Sequence, residues 1–273
     1  MAVEVQNQFM LLDGGIKDGK ITCEWELSKL YEVIAKDKVV VILKNVFPEE
    51  QLLKLRDTVW DWGKITPTSE SDDFLGNQHR HRCLISKQQQ CPYLFHDHTF
   101  DNISLLPEDF QKQMYDIYEP MKDFWNDLTG QNYQLAVPPV QKGEPYFHPQ
   151  ITHYPVGGSF FGRHWHNFEP QRVGMILSMS RYGIDYNSGS NTNFEVYNEI
   201  VRTEGHHNIG DITLFPYDVS HWIDSSDPYE KFDWDNKRGR WVAILPLYDP
   251  WGAAPTTSEP EHTKKTKEEL GII

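Results

Sequence analysis

The chain has only three cysteines, Cys23, Cys83 and Cys91, and no CxxC pair in 273 residues. So sparse and odd a set argues against a disulfide framework and against a thiolate zinc site. Runs of Lys or Arg are also missing, and the formal net charge is -14. A phosphate-binding footprint is thereby excluded, and no nucleic-acid partner is expected. No apolar stretch approaches the roughly 20 residues that span a bilayer, so no membrane partner is expected either. The N-terminus, Met1-Ala2-Val3-Glu4-Val5, lacks a basic segment followed by an apolar one and does not read as a secretory signal. These absences lead us to expect a cytoplasmic protein in a reducing compartment, with its acidity serving solubility.

What the chain does have is aromatic bulk: nine Trp, thirteen Tyr and fourteen Phe, enough for a packed core and an aromatic pocket. Leu27, Leu30, Tyr31 and Ile34 recur three and four apart, which predicts a helix over 26–34. Val39-Val40-Val41-Ile42-Leu43 is a continuous β-branched run, the pattern of a buried strand. Pro48-Glu49-Glu50 suits the start of a second helix. Residues 64–105 are polar, and we expect a loop there that could fold over a pocket. Phe110, Met114, Ile117, Met121, Phe124 and Leu128 predict a third helix from about 108 to 128, kinked at Pro120. Beyond Gln134 the texture changes to short candidate strands at 150–155, 160–166, 172–180, 192–197, 211–215 and 240–248. No helical stretch separates them, which implies a mainly antiparallel sheet. We expect a single domain over 1–257, with helix-rich support in 1–130 and a β core in 131–250. Residues 258–273 read as a charged tail, frayed or forming a short surface helix.

The chemistry is carried by histidines. His164 and His166 flank Trp165, and His221 follows far downstream. Residues two apart on a strand share a face, so His164 and His166 can converge on one ion. Arg240 opens the apolar run Trp241-Val242-Ala243-Ile244-Leu245. A cation at the root of such a strand is costly to bury alone and expects an anion; its planar fork matches a carboxylate. A metal beside a buried Arg suggests a metal-bound organic acid. By contrast, His79, His81, His96 and His98 read as loop residues, and His206-His207 as surface. The acidic segment 224–235 reads as solvated, near the pocket mouth.

Four pieces in order resemble the iron(II)- and 2-oxoglutarate-dependent dioxygenases. They are Tyr154-Pro155-Val156-Gly157-Gly158, His164-x-His166, Gly210-Asp211-x-x-x-Phe215-Pro216 leading to His221, and Arg240. The resemblance implies a mainly β fold, the double-stranded β-helix or jelly roll, with a helical N-terminal layer. It also implies Fe(II) as cofactor, 2-oxoglutarate as cosubstrate and dioxygen as oxidant. By position, His164 and His221 would be iron ligands. Arg240 would hold the distal carboxylate of 2-oxoglutarate, with Arg238 as the other candidate and Tyr154 as a possible hydrogen-bond donor to it. Family habit points to hydroxylation of a small polar molecule of amino-acid type.

At position 166 the chain departs from the family, which has Asp or Glu there to complete two His and one carboxylate. Three outcomes stay open. His166 ligates, giving a neutral three-histidine site; it swings away and leaves a gap, as in the halogenase branch, where a halide fills it; or Glu169 substitutes, which needs a bulge because its strand parity is opposite. The competing functions are a three-histidine oxygenase that does not use 2-oxoglutarate and a catalytically degenerate jelly-roll binding protein.

Overall fold

The computed structural model describes residues 3–6, 9–66, 79–86, 91–100, 102–136, 145–189, 191–248 and 260–272. Strands β1 (Val3–Gln6), β2 (Phe9–Lys17) and β3 (Lys20–Cys23) lead to helix α1 (Leu27–Ala35), strand β4 (Val40–Lys44) and helix α2 (Glu49–Ile65). Strands β5 (His79–Ser86) and β6 (Tyr93–Phe100) precede helix α3 (Glu108–Thr129). Then come β7 (Tyr146–Phe147), β8 (Gln150–Pro155), β9 (Phe160–His164), β10 (Val173–Ser178), β11 (Thr192–Val196) and β12 (Glu199–Arg202). The last strands are β13 (Ile212–Pro216), β14 (Ser220–Ile223), β15 (Gly239–Ile244) and β16 (Leu247–Tyr248).

The second half folds as a double-stranded β-helix. Strands β8, β15, β10 and β13 lie side by side, continued by β4, β2 and β1. Strands β9, β14, β11 and β12 form the other half, and β6 joins the two by pairing with both β8 and β9. The long strand pairs are antiparallel, as expected, except β2 with β4.

Side-chain parity decides what each strand contributes. In β4, Val41 and Leu43 join the large core under the helices, while Val40 and Ile42 join the inner cluster with Phe194 and Phe215. Burial on both faces is why that segment reads as an unbroken apolar run. In β15, Trp241 and Ala243 face the helices and Val242 faces inward. Helix α3 buries the expected stripe Phe110, Met114, Ile117, Met121, Phe124 and Leu128 against the first half, and Gly130 ends it in the left-handed region. The helix is continuous through Pro120.

Several expectations need correction. The polar region 64–105 is not all loop: it supplies β5 and β6, while 67–78, 87–90 and 101 lie outside the described residues. Strand β6 is inserted between β8 and β9, so His96 and His98 are buried on its helix-facing side rather than exposed in a lid. His153 joins them and stacks on Trp241, with ring centroids 4.0 Å apart. His207 is also buried, not on the surface: its Nδ1 lies 3.0 Å from the Thr203 carbonyl, and its Nε2 3.3 Å from the Tyr186 hydroxyl. Of the two expectations for the C-terminal segment, the short helix is met by a 3-10 turn at Glu261–Thr263, and the described residues 260–272 are docked, not frayed. The Tyr197 amide donates to the His262 carbonyl, and Thr263 is fully buried. No described helix is long and apolar enough to cross a membrane.

Burial, with Arg240 nearby, pushes the His207 imidazole down to about 3 from 6.5. Between those values the unfolded chain takes up a proton that the folded chain refuses, so stability is present above pH 6.5 and falls as pH drops towards 3. Burial lowers His153 as well, with His96 and His98 adding to the effect. We expect the urea midpoint of unfolding to fall across this window and the slope to flatten in His207→Gln. An unchanged slope in that variant would remove His207 as a cause.

Candidate metal centre and anion pocket

Strands β9 and β14 place the first two histidines. They pair antiparallel with His164 opposite His221, so the imidazoles sit side by side, ring centroids 4.2 Å apart. Each ring is fixed in the same way. His164 Nδ1 donates to the Gly162 carbonyl at 2.8 Å, and His221 Nδ1 donates to the Val219 carbonyl at 2.9 Å. With the proton on Nδ1, Nε2 carries the lone pair offered to a metal. His166 joins them, its centroid 5.1 Å from His164 and 5.3 Å from His221. One ring nitrogen of each lies within 4.8 Å of the others, the sole such group of His, Cys, Asp or Glu among the described residues.

The strand argument for His166 holds only in part. Strand β9 ends at His164, so His166 reaches the centre from irregular chain, not from a shared strand face. Desolvation lowers His164 and His221, and it pushes His166 down to about 3, with His164 contributing. All three rings are therefore neutral near pH 7, the form that binds a metal. Three imidazoles with no thiolate suit a divalent first-row ion such as Fe(II). Glu169 is not in the group; it pairs with Arg172 at 3.0 Å and is more than half exposed.

The second feature is Arg240. It is 1% exposed, and only Nη2 has a partner, donating to Thr192 Oγ1 at 2.8 Å. Its Nε and Nη1 are buried without any hydrogen-bond partner among the described residues. Burial lowers its affinity for a proton, with Tyr186 and Tyr154 opposing that shift. An unpaired buried guanidinium fits a carboxylate, which could pair with one edge of its planar fork. Gly239 lets β15 come this close to β8: a Cβ there would sit 2.0 Å from the Tyr154 carbonyl oxygen, and its φ is +141°. Tyr154 stands opposite Arg240 in register, and its ring lies 5.2 Å from Phe95. Burial raises its phenol well above the ordinary range.

Arg238 points elsewhere, forming a two-pronged exposed pair with Glu230 at 2.8 and 3.1 Å. The acidic segment is not uniformly solvated. Asp227 is buried and accepts from the Asn187 and Ser188 amides, and Asp224 accepts from Asn193 and Trp222. Sequence reading missed Thr192, Tyr186 and Tyr217. Tyr186, its phenol pushed up to about 12 mainly by burial, lies within electrostatic reach of Arg240. Its loop is anchored by Asp185, which burial raises but Arg181 and Arg56 together hold below its ordinary value. Thr192 opens a strand, but no spacing marked it as a partner for an Arg 48 positions away. Tyr217 directly follows the Phe215-Pro216 pair that the sequence did single out.

No protein-family model and no curated protein matches the sequence. Solved structures match in fold. A prolyl-4-hydroxylase from Pseudomonas putida is 12% identical, with 82% of this chain and 98% of that chain covered and a TM-score of 0.50. A prolyl hydroxylase from Trichoplax adhaerens, in complex with a hypoxia inducible factor oxygen degradation domain peptide fragment, is 11% identical. Coverage there is 82% of this chain and 91% of that chain, with a TM-score of 0.51. The chain therefore shares the double-stranded β-helix fold of these hydroxylases.

Proposed function

We propose that the protein is a non-haem iron(II) oxygenase that uses 2-oxoglutarate and dioxygen to hydroxylate a C–H bond. The observation that carries this reading is the pairing, inside one barrel, of a three-imidazole cluster with a buried guanidinium that has two unpartnered nitrogens. His164, His166 and His221 hold the metal. Arg240 and Thr192 bind the distal carboxylate of 2-oxoglutarate, with Tyr154 beside them. Iron, when bound, supplies the activation of dioxygen: one oxygen atom enters succinate as carbon dioxide leaves, and the other enters the substrate. Phe95, Phe161 and Tyr154 form an aromatic wall beside His164. We take the substrate to be a small polar molecule of amino-acid type. A peptide-borne residue is the second reading, favoured by the peptide in the Trichoplax adhaerens structure.

Two measurements test this. First, the purified protein should take up one Fe(II) per chain, and His164→Ala and His221→Ala should each reduce uptake to background. Full uptake by both variants would place the metal elsewhere. Secondly, anaerobic addition of 2-oxoglutarate to the iron-loaded protein should give a visible charge-transfer band, with succinate forming once air is admitted. Arg240→Ala should weaken 2-oxoglutarate binding by at least about thirtyfold, the scale of losing one partner of a buried charge pair. An iron-loaded protein with neither band nor succinate would exclude 2-oxoglutarate and leave a three-histidine oxygenase that binds its organic substrate directly.

A further inference from the structure

The three imidazoles are not held alike. His164 and His221 are each locked by an Nδ1 hydrogen bond to the carbonyl two residues earlier. His166 has neither a strand to fix its backbone nor a hydrogen bond to either ring nitrogen among the described residues. What it has is Tyr217. The two rings lie parallel, 8° between planes and 4.3 Å between centroids. Tyr217 is itself held: it follows β13 directly, and its amide donates to the Arg172 carbonyl at 3.0 Å. The turn that it begins carries the chain to Ser220 and His221 in β14.

We infer that Tyr217 is the positioning residue for His166, fixing by ring stacking the plane that hydrogen bonds fix for the other two histidines. This rests on His166 being a ligand. A ligating imidazole is ordinarily oriented by its second ring N–H, which sets both tautomer and plane. Stacking sets the plane alone. The tautomer of His166 stays unlocked, so Nδ1 and Nε2 are both open to the metal. His166 is thus the adjustable arm of the site and Tyr217 its rail. A chain with a carboxylate at 166 would need no such partner, because a short carboxylate has no ring plane to set.

The test uses the full-length protein, stripped of metal and titrated with Co(II), whose visible ligand-field bands report affinity and geometry without turnover. Tyr217→Phe keeps the ring and should bind within about twofold of the parent with the same bands. Tyr217→Leu removes the π face while keeping apolar bulk. It should weaken binding about three- to tenfold, the scale of one aromatic pair, and shift the bands. In a His166→Ala background Tyr217→Leu should have no further effect. Parent-like affinity and bands in Tyr217→Leu, with His166→Ala weakened, would overturn the role of Tyr217. Parent-like binding in His166→Ala would instead overturn ligation by His166. Should Tyr217→Leu fail to fold, Tyr217→Met gives the same comparison.

Discussion

A guanidinium buried in the barrel with two nitrogens unpaired is the constraint on which the rest of the site depends. Withdrawing a charge from water without a partner is among the most unfavourable things a fold can do. Around Arg240 the structure provides Thr192 as one acceptor and two tyrosines that burial keeps protonated. Neutral His207 adds nothing negative. None of these is an anion, which supports the proposed binding of a carboxylate there. The strand that bears it is correspondingly well fixed. The Trp241 amide donates to Ser180 Oγ at 2.7 Å, and the Trp241 indole donates to the Lys237 carbonyl at 3.1 Å. On the helix-facing side, the Trp241 ring is stacked on His153 and edged by Trp60.

The histidine cluster depends on a different device, the pairing of β9 with β14. Antiparallel pairing places two residues far apart in sequence directly opposite, and here those residues are His164 and His221. Both offer the same nitrogen because both use the same local hydrogen bond. The result is a cluster whose members are kept neutral by burial, so no proton need leave before a metal binds. Arg240 lies on β15 and His164 and His221 on β9 and β14; the strands between β15 and β9 are β8 and β6, which bear the packed rings of Tyr154 and Phe95.

Much of this was legible in the sequence, and the parts that were not share a physical reason. The periods of α1 and α3 and the run in β4 were readable because a buried face imposes a repeat. His164, His221 and Arg240 were readable because they fall in order among turn and strand signals. Strand β6 was not: it carries the polar run His96-Asp97-His98, yet Phe95–Phe100 is buried, with β8 and β9 paired along it. Asp97 is fully buried there and accepts from Gln150 and Thr99, while His96 is held by the Trp234 carbonyl. Polar side chains that find partners in the fold look the same in sequence as those that find water. His207 was misread for that reason too. Thr192, Tyr186 and Tyr217 left no trace because their roles lie in proximity across the barrel, and a single sequence carries no such distances.

Position 166 brings both devices together. A carboxylate there would add a negative charge near the metal and partly offset Arg240 across the barrel. A neutral imidazole removes that charge, so the interior as a whole is more positive by one unit. With a divalent ion added, the pocket would hold the ion's two charges and that of Arg240 with no anionic side chain among the three ligands. Such a pocket favours a ligand with two carboxylates, one for the ion and one for the guanidinium, more strongly than the carboxylate version would. The same residue, the proposed third ligand, carries a planar ring and lies two positions beyond the end of β9. The parallel ring of Tyr217 is the contact proposed to orient it. Charge and shape at one position thus change together: the interior lacks an anion that would have offset Arg240, and the ring at 166 lies parallel to a tyrosine.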